Sequence, residues 1–164
     1  MNNTPHIAII GAGQVGSRHL QGLGKVDRSI TVSVIDPNPS SLETAKTRFL
    51  EMPNNINIQN ILYSETLEVL NGVVDVAIIA TNADVRRNVV EKLLEQINVR
   101  YMILEKVAFQ SVEDFEFVKA ILYKRGIKAW VNCTSRIVPY YMSVKKELRS
   151  ENFVYIYVNV YDSI

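Results

Sequence analysis

The sequence predicts an α/β fold, a doubly wound parallel sheet with helices on both faces, and three observations carry that expectation. Short β-branched runs alternate with longer segments of helical period. No internal repeat or low-complexity tract interrupts the alternation. The opening stretch "HIAIIGAGQVGSRHL", residues 6–20, passes from an apolar run through three glycines into an amphipathic segment, as a strand turning sharply into a helix would.

Taken in order, strands are expected at 7–10, 31–35, weakly near 56–58, then at 74–80, 101–104 and 128–132. Helices are expected between them at 14–23, 40–52, 64–71, 84–96 and 112–125. The proline-rich stretch at 37–41 is short enough to be a turn, and Asn71-Gly72 supplies a helix end. The helix at 112–125 is the best specified. Ser111 can cap its start with Asp114 three residues on, while Phe115, Val118 and Leu122 form an inward stripe. Lys124, Arg125 and Gly126 close its end.

After Arg136 the pattern changes. A helix is expected at 139–149, followed by one long alternating strand, "FVYIYVNVY", at 153–161. Both of its faces read as buried, yet no later strand is present to pair with it. The expected organisation is therefore a Rossmann-type domain at 1–133, followed at 134–164 by the connection and first elements of a truncated second, α+β domain. The strand implies either a longer natural protein or a homo-oligomer paired through it.

Composition excludes several classes of partner. Of 164 residues 48% are hydrophobic, enough for a core, while 18 basic against 17 acidic side chains leave a net charge of +1. No field attracts nucleic acid or an anionic membrane. The apolar windows are strand-length, short of the roughly 20 residues a membrane span requires. The single Cys133 permits no disulfide framework and no metal knuckle, and fits a reducing cytoplasm. It reads as a small buried apolar residue.

Gly11, Gly13 and Gly16 form G-x-G-x-x-G directly after a strand and at the start of a helix. The first allows the tight turn, the second lets backbone approach a pyrophosphate, and the third allows close helix-to-strand packing. Phosphate oxygens would meet the free N–H groups at the helix start, so Gln14 and Val15 join the glycines as candidate cofactor contacts. Asp36 follows Gly16 by 20 residues, at the end of the second strand, where a carboxylate accepts hydrogen bonds from ribose hydroxyls. It would repel a ribose 2′-phosphate, and Pro37, Asn38 and Pro39 supply no arginine to neutralise one, so NAD is preferred over NADP. Methyltransferases that use S-adenosylmethionine share a glycine-rich turn and an acidic strand end, and remain a competing reading.

At this point the chain resembles the N-terminal part of the glucose-fructose oxidoreductase and inositol dehydrogenase family, Gfo/Idh/MocA. The glycine turn continuing to His19 and Leu23, "VDVAIIATNADV" at 74–85, "ILEKVAF" at 103–109 and "VNCTSRIVPYYMSVKKEL" at 131–148 carry the resemblance over essentially the whole chain. It implies an NAD(P)-dependent oxidoreductase acting on a sugar or polyol-type secondary alcohol. The family's catalytic lysine corresponds to Lys106. Val107 stands where the family usually has proline after that lysine, and Asn82, Ala83 and Arg86 where its fourth-strand loop commonly has proline, asparagine and histidine. The family's acid-base histidine belongs to the later substrate domain, so the resemblance implies that this chain alone is inactive.

Oxidising a secondary alcohol requires loss of a hydride and a proton, and a cation near the oxygen stabilises developing alkoxide character. Lys106 can supply it. Glu105 either orients Lys106 or pairs with the cofactor ribose, while Thr81 and Asn82 lie where open α/β sheets place ligand, or cap the next helix. Arg136, in the connection to the second domain, is a substrate candidate. No metal ligands are identified. A non-catalytic NAD(H)-binding regulator or scaffold remains the alternative to an enzyme.

Overall fold

The computed structural model describes residues 4–133, together with 138, 139, 142, 143 and 146. Its elements are β1 (His6–Ile10), α1 (Gln14–Leu23), β2 (Ile30–Ile35), α2 (Pro39–Leu50), β3 (Ile58–Ser64), β4 (Val73–Ile79), α3 (Ala83–Gln96), β5 (Asn98–Glu105), α4 (Val112–Lys124) and β6 (Lys128–Asn132). A 3-10 turn, Leu67–Val69, joins β3 to β4. The chain divides into two units, Met1–Asn132 and Cys133–Ile164. In the second unit Pro139, Met142, Ser143 and Lys146 are helical, and the Met142 N–H donates to the Val138 carbonyl at 3.1 Å. The strand expected at 153–161, and Arg136, lie outside the described residues.

The six strands form one parallel sheet in the order β3-β2-β1-β4-β5-β6, the doubly wound arrangement expected. Pleating divides the core in two. On one face Ile9, Val34 and Ile78 pack with Leu20 of α1 and Ala45 of α2; on the other Ile10, Ile79 and Met102 pack with Leu93 of α3 and Val118 of α4. Strands buried on both faces carry continuous apolar runs instead of alternation, which is why β1 and β4 stand out in the sequence. α4 ends as expected: Gly126 takes φ +69°, its N–H donates to the Tyr123 carbonyl, and the Ile127 N–H donates to that of Leu122. At its start the Ser111 hydroxyl accepts from the Asp114 N–H.

Two elements differ from expectation. The third strand is Ile58–Ser64 instead of 56–58, and the helix expected at 64–71 is reduced to the single 3-10 turn. β3 is an edge strand whose side chains are largely half-buried or exposed, so hydrogen bonding to β2 holds it where the apolar signal is thin. The Asp36 N–H donates to the Ser64 carbonyl at 3.1 Å, carrying that pairing into residues that read as helix. Phe115 also departs from the inward stripe of α4. It is 42% exposed and meets Phe109 edge-on, with ring centroids 6.3 Å apart.

The three glycines are not equivalent. A Cβ on Gly16 would fall 1.8 Å from the Gly11 carbonyl oxygen, whereas one on Gly13 would meet nothing within 4 Å. Gly16→Ala is expected to destabilise the protein by about 3 kcal/mol or more, and Gly13→Ala by under about 1 kcal/mol. Midpoints of urea unfolding of the two variants check this.

Candidate functional site

The chain leaving β1 runs to β2 and the chain leaving β4 runs to β5, in opposite directions along the sheet, so a crevice opens at the carboxyl ends of β1 and β4. At its floor the backbone bends at Gly11, whose φ is +96° and whose Cβ position would lie 2.9 Å from Ala80 backbone. The Gly11 N–H donates to the Ile35 carbonyl at 2.7 Å and the Ala80 N–H to that of Ile10 at 2.8 Å, tying three strand ends together. α1 begins at once. Gly13 caps it without a side chain, and no acidic residue occupies its first turn. The N–H groups of Gln14, Val15 and Gly16 therefore meet no acidic side chain, at the positive end of the helix dipole.

Asp36 closes one side. Its Oδ2 accepts from the Ala12 N–H at 2.7 Å and its Oδ1 from the Asn38 N–H at 2.9 Å. Each carboxylate oxygen keeps a further lone pair for another donor. Asn38 in turn caps α2 through its side chain, which accepts from the Ser40 N–H. Gly11, Gly13, Asp36, Ser41, Thr81 and Asn82 all line one open cleft of about 590 Å³. Asn82 is exposed and starts α3 without a side-chain cap, so that part of its polarity is not used by the helix. The Thr81 Oγ1 is buried and has no hydrogen-bond partner among the described residues.

The end of β5 is built differently. Lys106 is exposed, and its peptide bond to Val107 is cis. Glu105 is buried, and its Oε1 accepts from His19 Nε2 at 2.6 Å and from Asn132 Nδ2 at 2.5 Å. Burial pushes the Glu105 carboxyl up, but the hydrogen bonds from Asn132, His19 and the Lys106 backbone outweigh it, leaving it below its ordinary value. On the other side Arg86, 2% exposed, donates to the carbonyls of Glu105, Val107 and Ala108 through Nη1 and to that of Thr81 through Nη2. Burial pulls its pKa down against the attraction of Glu105.

Comparison with known proteins bears on this arrangement. A family model, GFO_IDH_MocA, described as an oxidoreductase family with an NAD-binding Rossmann fold, matches residues 6–133. The chain belongs to this family. It is an oxidoreductase-family chain with a nicotinamide-binding Rossmann domain, as its sequence resemblance implied. A search of curated proteins returns no match. Among solved structures the chain is similar to apo scyllo-inositol dehydrogenase from Lactobacillus casei, at 17% identity and TM-score 0.68, covering 92% of this chain and 42% of that one. It is similar to the WlbA dehydrogenase from Bordetella pertussis in complex with NADH and UDP-GlcNAcA, at 17% identity and TM-score 0.71, covering 90% and 42%. A third is a 3-ketoreductase from Actinomadura kijaniata in complex with TDP-benzene and NADP, at 15% identity and TM-score 0.68, covering 90% and 44%. These likenesses establish the fold. The chain spans under half the length of each.

Of the residues singled out from the sequence, Gly11, Gly13, Asp36, Thr81 and Asn82 meet at the cleft, while Gly16 is buried against the Gly11 carbonyl. Gln14 lies beside it, its Oε1 held at 2.7 Å by Arg48 Nη2, and Val15 is exposed on the first turn of α1. Glu105 does not line the cleft; its carboxylate is turned to His19 and Asn132. His19 thus joins α1 to the end of β5. Sequence reasoning did not identify Asn132 or the clamp made by Arg86, since both act on partners that are distant along the chain. Among the described residues no helix is long and apolar enough to cross a membrane, and no cluster of His, Cys, Asp and Glu has the makings of a metal site.

A carboxyl held below its ordinary value stabilises the fold above that value, 4.5 for glutamate, and the contribution is lost as pH falls through the folded-state pKa. Glu105→Gln is accordingly expected to lower stability near neutral pH and to lose less than the parent protein on acidification below pH 4.5. Urea unfolding at a series of pH values measures both effects.

Proposed function

We propose that this chain is the cofactor-binding part of an NAD-dependent dehydrogenase that moves a hydride between nicotinamide and a secondary alcohol of a sugar or polyol. One observation carries the cofactor reading: Asp36, already bonded to Ala12, shares a single cleft with an uncapped helix start and the exits of β1 and β4. The residues fit a dinucleotide. The first turn of α1 offers N–H donors to a diphosphate, Asp36 has acceptor capacity for ribose hydroxyls, and the buried Thr81 Oγ1 has no protein partner.

When bound, the nicotinamide supplies the hydride acceptor or donor. Lys106 supplies a positive charge that stabilises developing negative charge on the substrate oxygen, and its exposure leaves it free to meet a ligand. Glu105, which does not line the cleft and whose Oε1 accepts from both His19 and Asn132, anchors the end of β5 beneath that lysine in preference to binding ribose. Asp36 favours NAD over NADP by repelling a 2′-phosphate; the nearby Arg48 is engaged with Ser17 and Gln14. Residues 134–164 are read as the start of a substrate domain, to which Arg136 contributes a substrate contact, with homo-oligomer formation through the strand expected from the sequence at 153–161 and a cytoplasmic location. The sugar class of substrate rests on family membership and on likeness to a scyllo-inositol dehydrogenase and to a dehydrogenase in complex with NADH and UDP-GlcNAcA.

Calorimetric titration with NADH and NADPH tests the cofactor reading: NADH binding is expected, and Asp36→Ala is expected to weaken it by about tenfold, roughly 1.4 kcal/mol, while narrowing the gap to NADPH. Absence of NADH binding overturns the proposal. For the catalytic reading, Lys106→Ala in the longest natural form of the chain is expected to leave NADH affinity within about twofold yet to lower turnover on its alcohol substrate by on the order of 100-fold or more. NADH absorbance over a sugar and polyol panel follows the rate. Nucleotide binding with no turnover on any substrate, with or without Lys106, would instead identify a non-catalytic NAD(H)-binding protein.

A further inference from the structure

We infer that Arg86 is a positioning residue for Lys106, holding the backbone carbonyls on both sides of that lysine and so fixing the point from which its ammonium is presented. The inference rests on the reading of Lys106 as the cation beside the reacting oxygen. Lys106 is exposed, and among the described residues its ammonium takes part in no ion pair. A long flexible side chain with no partner is placed only as well as its backbone is placed. That backbone has just left β5, whose last residue paired to β6 is Glu105, so the carbonyls of Val107 and Ala108 lie beyond the ladder and need other donors.

Arg86 supplies them from inside the protein. One amino group serves the carbonyls of Glu105, Val107 and Ala108, the last at 2.9 Å, and the other serves Thr81. A single planar guanidinium thus ties the exit of β5 to the exit of β4, where the cleft lies. The carboxylate of Glu105 is occupied by His19 and Asn132, so the direct partners of this buried cation are neutral carbonyls. For stability alone such a choice is poor, because neutral carbonyls and the attraction of a carboxylate that is not bonded to it offset the desolvation of a buried cation only in part. What the guanidinium supplies that an apolar side chain does not is several fixed donors in one plane. A lysine at this position would keep the charge and lose the fork.

The test uses the full natural chain with its lysines reductively dimethylated with 13C-formaldehyde, the Lys106 resonance being identified by its loss in Lys106→Arg. In the parent protein NADH is expected to shift that resonance. In Arg86→Lys, NADH affinity is expected to stay within about threefold while the shift of the Lys106 resonance falls to less than about half. In Arg86→Ala the response is expected to be lost and to return on adding ethylguanidinium, a rescue that general destabilisation would not show; if Arg86→Ala does not fold, Arg86→Lys decides. A Lys106 response to NADH that is unchanged in these variants overturns the inference and leaves the proposed function standing. If NADH moves no Lys106 signal in the parent protein, the assignment of Lys106 fails instead. The inference is then decided by the ligand-free 15N amide resonances of residues 106–108: displacement in the Arg86 variants with return on ethylguanidinium supports it, and unmoved resonances overturn it.

Discussion

Everything at the functional end of this molecule depends on backbone passing backbone without side chains between. The Gly11 carbonyl sits where a Cβ on Gly16 would be, and Gly11 itself lies against the backbone of Ala80 and Thr81. That contact seats α1 directly on the exits of β1 and β4. Because the helix starts so close to the sheet, its uncapped start at Gly13 lies at the crevice of a doubly wound fold. Gly13 has no such packing duty and opens onto empty space, which separates the glycine needed for folding from the glycine available to a ligand.

A second constraint operates where β5 ends. Parallel strands that stop at the same edge leave carbonyls beyond the ladder, and here they are satisfied by long-range side chains: Arg86 from α3, and, for the Glu105 carboxylate, His19 from α1 and Asn132 from β6. The consequence is a rigid base under an exposed lysine. Polar groups in such a network are mutually dependent, since removing one leaves others buried and unpaired. The two strand exits are therefore built differently: that of β1 is shaped by absent side chains, that of β5 by buried present ones.

How much of this was legible depends on the range of the interaction that decides each element. Central strands β1, β2 and β4 declared themselves because burial on both faces demands apolar runs, and α4 because its cap and its terminal glycine act within a few residues. β3 was misread because an edge strand is held by hydrogen bonds to β2, which leave little mark on side-chain pattern, and Leu67 and Leu70 at helical spacing pack instead from a 3-10 turn and its end. Phe115 has the right spacing for an inward stripe, but in the first turn of α4 it stays 42% exposed and settles on Phe109.

The sequence by itself determined the glycine bend and the carboxylate one strand later, and the family through the further motifs at 74–85, 103–109 and 131–148, because turn geometry and helix-start chemistry are written in contiguous stretches of residues. Only the tertiary structure decided that Asp36 bonds back to Ala12, that Glu105 faces His19 and Asn132, and that Arg86 clamps the segment bearing Lys106. Those pairings join residues between 19 and 86 positions apart, from Arg86 with Glu105 to His19 with Glu105. No periodicity or motif encodes which buried polar groups meet across a sheet; the strand order does, by bringing their elements to one edge.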